Sequence, residues 1–276
     1  MDPLPGLAPA DVDEAAAVVE QLWSATSSRL AVFRVPVLAL RHRRLLTALS
    51  RALGQLPILR VQPSRSPAGQ ELTALLLGPH WRADSGRRLP ELRVRIGGRL
   101  LRMPDRRAAV AVLELPADPA EYLAGRKKQA LRTNLAHARE HGITVSEIVA
   151  GAEQLDCIEQ VLVAREDEWW AKYESWLRRV VDARLVRLFA GRGPDGAVLT
   201  VALVVPDAPW AMLRLFVSTP DDLAGYARYS THAFMVEALA KAGVRTLLVD
   251  TVFDAPPGVR YFQSRLGFEL ANIAVG

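Results

Sequence analysis

The chain has 276 residues, half of them hydrophobic and 24% charged, with a formal net charge of +5. That is enough for one large domain or two small ones with a real core, and it excludes a chain that is disordered throughout. The positive charge is almost all arginine, with lysine only at Lys127, Lys128, Lys172 and Lys241. This suits an anionic ligand such as a coenzyme phosphate or tRNA, although a GC-rich genome gives the same bias.

The N-terminus is acidic and proline-rich, without the basic and apolar regions of a signal peptide. No apolar run approaches the ~18 residues of a membrane span, so no span and a cytoplasmic location are expected. Residues 1–10 read as a loose tail. A helix is expected over 11–24, a strand over 31–38 and a basic helix over 41–53. Residues 56–116 read as β-rich, with 63–70 a plain loop. Leu92, Val94 and Ile96 alternate with arginines before Gly97-Gly98 and a second strand to Met103, a hairpin pattern. Another strand is expected at Val110–Leu115.

Asp118, Pro119 and Glu121 have capping-box spacing, which predicts a helix to about His141 ended by Gly142. Lys128, Arg132 and Arg139 share a face of it, beside a stripe of Leu131, Leu135 and Ala138. That face reads either as solvated or as a surface for phosphate or RNA. A strand at Thr144–Val149 precedes one long helix over 154–180, which carries Trp169, Trp170, Tyr173 and Trp176. The tryptophan cluster reads as core and rim packing, or as the lining of an acceptor pocket. The single cysteine, Cys157, excludes an intramolecular disulfide and a cysteine-rich zinc site, and reads as a core thiol. Strands at 184–190 and 197–205 flank the turn sequence GRGPDG. Further elements are a strand at 210–217, a helix at 230–242, a strand at 246–250, a helix at 258–266 and a strand at 269–275. This order predicts a mixed α/β sheet with helices on both faces. The five histidines have no tight ligand spacing, so no metal is expected. Ser230 and Ser264 lack the context of a hydrolase nucleophile.

The run Tyr261–Glu269 (YFQSRLGFE), placed after that strand order, resembles the end of the GNAT acyltransferase core. Arg265, Gly267 and Phe268 carry the likeness. The run Glu121–Gly142 resembles the basic helix that opens the main domain of Fem-like aminoacyltransferases, and the likeness covers about residues 112–270. The resemblance implies a mixed, mostly antiparallel GNAT-like sheet flanked by helices in a catalytic domain at 111–276. It implies an N-terminal α/β subdomain at 1–110, a degenerate GNAT-like half. Two departures stand out. The glycine-rich loop that holds a coenzyme A pyrophosphate is reduced here to Gly225 in GYARYST, leaving Arg228, Ser230 and Thr231 as phosphate ligands. The position of the usual proton-donating tyrosine is Gln263, with Tyr261 two residues earlier.

The activity so implied is transfer of an acyl group from acetyl-CoA or another acyl-CoA to an amine, on a small molecule or a peptide. Backbone N–H groups near Phe216 and Val217 would polarise the donor carbonyl. Asp250, with Asp254 second, would be the base, Tyr261 a proton donor, and Arg265 a further donor contact. A Fem-like transferase that takes its acyl group from aminoacyl-tRNA is the alternative, and a catalytically silent GNAT-fold binding protein is a third. The sequence sets no oligomeric state.

Overall fold

Runs rich in Val, Leu and Ala build an eight-stranded sheet at the centre of the molecule. The structure, a computed structural model, describes residues 57–76, 93–96, 99–102, 110–165, 169–251 and 257–275. The elements expected at 11–24, 31–38 and 41–53 lie outside those residues. In chain order the elements are β1 (Ile58–Val61), α1 (Pro67–Leu76), β2 (Arg93–Ile96), β3 (Arg99–Arg102) and β4 (Val110–Glu114). Two 3-10 turns follow, Pro119–Leu123 and Arg126–Lys128, then α2 (Gln129–Glu140), β5 (Thr144–Ile148), α3 (Gly151–Ala164) and α4 (Trp169–Asp182). The rest are β6 (Arg187–Arg192), β7 (Val198–Asp207), β8 (Trp210–Ser218), α5 (Ala224–Lys241), β9 (Thr246–Thr251), α6 (Pro257–Leu266) and β10 (Glu269–Val275).

The sheet order is β1-β10-β4-β9-β8-β7-β6-β5, and β2 and β3 form a separate hairpin. Only the β1–β10 and β8–β9 pairings are parallel. The expected mixed, mostly antiparallel sheet is therefore present. The hairpin is too: Ile96 pairs with Arg99, which leaves Gly97-Gly98 as the connection. Helices α1, α3 and α4 cover one face, where Leu72, Ile158, Val161, Leu177 and Val180 meet Val201 and Leu203. Helices α2, α5 and α6 cover the other, where Leu131, Met235, Leu239 and Leu266 meet Phe189, Ala202 and Val204. With both faces covered, β7 is an almost unbroken apolar run, Val198–Val205, and all of it is buried.

Two polar clamps hold residues 57–76 against this body. Ser64 donates from its N–H and its hydroxyl to Asp207, at 2.6 Å each. Glu71, a buried carboxylate, accepts from Trp176 Nε1 at 2.8 Å and from both Arg179 nitrogens at 2.8 and 3.1 Å. Burial alone would raise its pKa, but these bonds outweigh burial and hold it lowered.

Helix α5 crosses β6 at Gly191, where an added Cβ would lie 2.4 Å from Thr231 Oγ1. The Thr231 side chain is fully buried and cannot swing away. Gly191→Ala is expected to cost about 1–3 kcal/mol of stability. Urea unfolding of Gly191→Ala with and without Thr231→Ala checks this. A cost that the second change does not relieve would mean the close approach is not the cause.

Four sequence expectations need correction. Residues 67–76 form a helix, because Ser66 Oγ accepts from Gly69 N–H at 3.0 Å and starts it, so the loop ends earlier than expected. The helix expected over 118–141 is broken. Asp118 caps Ala120 N–H at 2.9 Å, but the turn stops at Ala124, and Gly125 adopts φ +80° before the chain re-enters at Arg126. The long helix over 154–180 is two helices, α3 and α4. The helix expected at 230 begins at Ala224, where Asp221 Oδ1 accepts from Leu223 N–H at 2.7 Å. Cys157 is buried as expected, 3.4 Å from Arg192 Nη2.

Candidate functional site: an opening between β8 and β9

Strands β8 and β9 run parallel from the Trp210–Thr246 pair to the Leu213–Val249 pair, the last pair between them among the described residues. Residues 215–218 of β8 stay paired with β7 and have no β9 partner among the described residues. The register explains where the strands part. Leu203 faces Leu215 while Val204 faces Leu213, so Arg214 is an extra residue bulged out of β8. On the next strand Ala111 faces Val249 while Val110 faces Thr251, so Asp250 is the extra residue of β9. Two bulges thus directly follow the last described pair. A bulge bends and twists its strand locally, and here the two mark the mouth of an opening. The Arg214 guanidinium lies over the rings of Tyr173 and Trp176, at 5.6 and 5.9 Å, on the α4 face.

Ser218 ends β8 and gathers three donors. Its hydroxyl accepts from Thr200 Oγ1 at 2.8 Å and from Arg228 Nε at 3.1 Å, and its carbonyl accepts from Arg165 Nη1 at 3.1 Å. Arg228 belongs to α5 and its guanidinium also lies 5.6 Å from the Phe262 ring of α6. Burial, then the nearby Arg165 charge, lowers the Arg228 pKa. Two guanidinium groups therefore converge at the end of β8, where they favour an anion or a developing oxyanion.

Tyr229 adds a phenol on the α6 side. Its ring is 5.0 Å from Phe262, and Phe262 is 5.7 Å from Phe216. Burial and the neighbouring Tyr261 raise the Tyr229 pKa, so the hydroxyl keeps its proton and can donate it. Tyr261 itself is exposed on α6, and its hydroxyl accepts from Arg265 Nε and Nη2 at 3.0 and 2.8 Å.

Phe216 and Arg228 thus meet at Phe262 beside the end of β8, whereas Tyr261 and Arg265 pair with each other on the exposed side of α6. Val217 shares the unpaired backbone there, but its side chain packs in the opposite core. Asp250 is at the mouth by its backbone, and Asp254 lies outside the described residues. Ser230 and Thr231 take other places. Because α5 starts six residues earlier than expected, neither is at its N-terminus. Thr231 faces Gly191, and Ser230 lines a cleft elsewhere on the helix. Gln263 is buried in the core side of α6. The residues at the true start of α5 are Asp221 and Asp222, two acids before the free N–H groups.

Behind this site is a buried polar cluster that the sequence did not disclose. Tyr122 Oη lies 2.9 Å from His232 Nε2 and donates toward the Leu266 carbonyl at 3.0 Å. Lys128 Nζ donates to the same carbonyl and lies 4.0 Å from the Tyr122 ring centroid. Phe216, Phe262 and Phe268 pack round the imidazole. Burial, then the Lys128 charge, lowers the His232 pKa to about 3, so it is neutral at pH 7. Burial lowers Lys128 to about 8 and raises Tyr122. The basic face expected on the 118–141 segment is thus partly internal. Lys128 caps α6, and Arg132 Nη1 donates to the carbonyls of Leu123 and Gly125 at 2.6 and 2.9 Å, bracing the break in the chain. Among the described residues no group of His, Cys, Asp and Glu gathers to hold a metal, and no helix is long and apolar enough to cross a membrane.

No family model and no curated protein matches the sequence. Several solved structures resemble the fold, all at low identity. The L-PGS structure from Bacillus licheniformis is 13% identical with a TM-score of 0.41, covering 59% of this chain and 57% of that one. The FemX crystal structure is 12% identical with a TM-score of 0.45, covering 61% and 60%. A GCN5-related N-acetyltransferase from Sphaerobacter thermophilus is 16% identical with a TM-score of 0.34, covering 59% and 47%. The match thus spans less than two thirds of the length of these structures. The chain itself has a mixed sheet with helices on both faces.

Proposed function

We propose that this chain transfers an acyl group to an amine at the opening between β8 and β9, and that the donor is an aminoacyl ester of tRNA. The observation that carries the reading is the paired bulge at Arg214 and Asp250. It lies directly after the last described β8–β9 pair, which supports a role for the Leu215–Ser218 backbone at a donor carbonyl and for Asp250 as the base. Asp250 takes the proton of the attacking amine. The guanidinium of Arg228 and the N–H groups of β8 stabilise the oxyanion, and Tyr229 or Tyr261 returns a proton to the leaving oxygen.

The choice of donor follows from the start of α5. A coenzyme A pyrophosphate at a helix N-terminus uses free N–H groups and the positive end of the helix dipole. Here Asp221 already occupies one of those N–H groups and Asp222 adds a second negative charge. The acyl-CoA reading keeps one specific support, the Arg165–Arg228 pair at Ser218, which fits a phosphate.

Thermal unfolding with coenzyme A, acetyl-CoA, longer acyl-CoAs and aminoacyl-tRNA separates these readings. A ligand at about 100 times its dissociation constant stabilises by about 2.7 kcal/mol. The expected result is a shift with tRNA that weakens steeply with salt, and that Arg228→Ala reduces without loss of the fold. A shift with a coenzyme A species alone moves the donor to acyl-CoA. No shift with any of them favours a silent binding protein.

A further inference from the structure

On α5, Arg228 and His232 face the opening and the buried cluster, whereas Ser230, Ala233, Phe234 and Glu237 lie on the opposite side at about 100° per residue. That opposite side is one wall of a cleft of about 260 Å³, closed by the Pro119–Leu123 turn, α2 and the start of β5. Its floor is apolar: Tyr122, Leu135 and Ile143 are buried there, and Leu123 and Val145 are half-buried. Phe234, an exposed aromatic ring, forms part of its rim. One edge of Phe234 packs against the buried Phe189 ring, 6.1 Å away, which leaves its other side at the cleft rim.

The polar groups of the cleft select the occupant's charge. Arg139 lines it from α2 and makes no ion pair or side-chain hydrogen bond among the described residues. Glu237, the acid in the lining, is held by Lys241 at 2.5 Å, so its charge is already matched. Ser230 adds a hydroxyl on the wall. An apolar floor, a free guanidinium and a neutral hydroxyl together complement a molecule with an apolar body and a single carboxylate, which a guanidinium binds through two parallel hydrogen bonds. The volume is below the usual range for drug-sized ligands, which keeps the body small.

We propose that this cleft is a second binding site, separate from the β8–β9 opening, for a small apolar monocarboxylate. Because Tyr122 forms the floor and also bonds His232 and the Leu266 carbonyl, an occupant rests on the cluster that caps α6. The proposal does not depend on which acyl donor the opening uses.

The test is an amide NMR titration of the full chain with hexanoate and phenylacetate, against hexanamide and phenylacetamide as uncharged controls. The acids are expected to bind with a dissociation constant on the order of 1 mM. They should move the amides of Arg139, Ser230, Ala233 and Phe234 and leave those of Arg228 and Tyr229 in place. Loss of the charge-assisted bond weakens binding about tenfold or more, both for the amides as ligands and for Arg139→Gln. Arg139 is exposed on its helix and glutamine is a good helix former, so that variant keeps the fold. Ala233→Leu, which narrows the cleft, should abolish the shifts. Equal binding of acids and amides, unchanged affinity in Arg139→Gln, shifts confined to Arg228 and Tyr229, or a dissociation constant above about 20 mM for both acids would each overturn the proposal.

Discussion

Asp250→Asn is expected to lower kcat about 10²- to 10⁴-fold while leaving donor affinity within a factor of about two. Asp250 is the residue that the β9 bulge adds directly after the last pair with β8, so its backbone is at the mouth of the opening. In the proposed reaction the attacking amine must lose a proton, and Asp250 is the proposed base. Asparagine preserves size and removes only basicity, so binding should survive. The informative pattern is a large fall in single-turnover rate at pH 7 that narrows as pH rises and free amine becomes abundant. A variant that turns over within about threefold of the parent would remove Asp250 as the base, and Asp254→Asn would then be measured the same way.

The second large effect is on stability in acid. His232 has a folded pKa of about 3 against 6.5 when free, so between those values the unfolded chain binds a proton that the folded chain refuses. Stability contributed by the neutral imidazole is complete above pH 6.5 and is lost as pH falls toward 3, with a slope of at most about 1.4 kcal/mol per pH unit. Lys128 has the same sign in a separate window. Its folded pKa of about 8 lies below 10.5, so stability rises between those values as the cost of a buried ammonium disappears. His232→Gln should flatten the acid limb, because glutamine can meet the Tyr122 hydroxyl without titrating. Urea unfolding from pH 4 to 8 for both proteins checks this. Glu71, whose pKa is lowered, also contributes an acid slope, but it is present in both and cancels in the difference. Parallel slopes would mean that His232 does not govern acid unfolding.

Local chemistry made most of the strands legible. The Val94–Ile96 alternation before Gly97-Gly98, the Val198–Val205 run and the Gly267-Phe268 pair just before β10 each declare themselves in a few consecutive residues. Helix ends were less legible. Asp221 starts α5 through one N–H bond, a weak signal, and the Gly125 break was masked by good capping spacing at Asp118.

The sequence by itself determined the α/β class, the central strands, the buried stripe of Leu131, Leu135 and Ala138, and the core thiol. These depend on period, propensity and residue size, which neighbours in the chain carry. Only the tertiary structure decided that β4 inserts between β9 and β10, because a strand's partner is fixed by packing across more than a hundred residues. Only the structure placed the bulges at Arg214 and Asp250, since a bulge is a mismatch between two strands and belongs to neither sequence alone. The same holds for Tyr122, Lys128 and His232. Nothing in their spacing links them, and their shifted protonation comes from loss of water, which occurs when β8, α5 and α6 close around them.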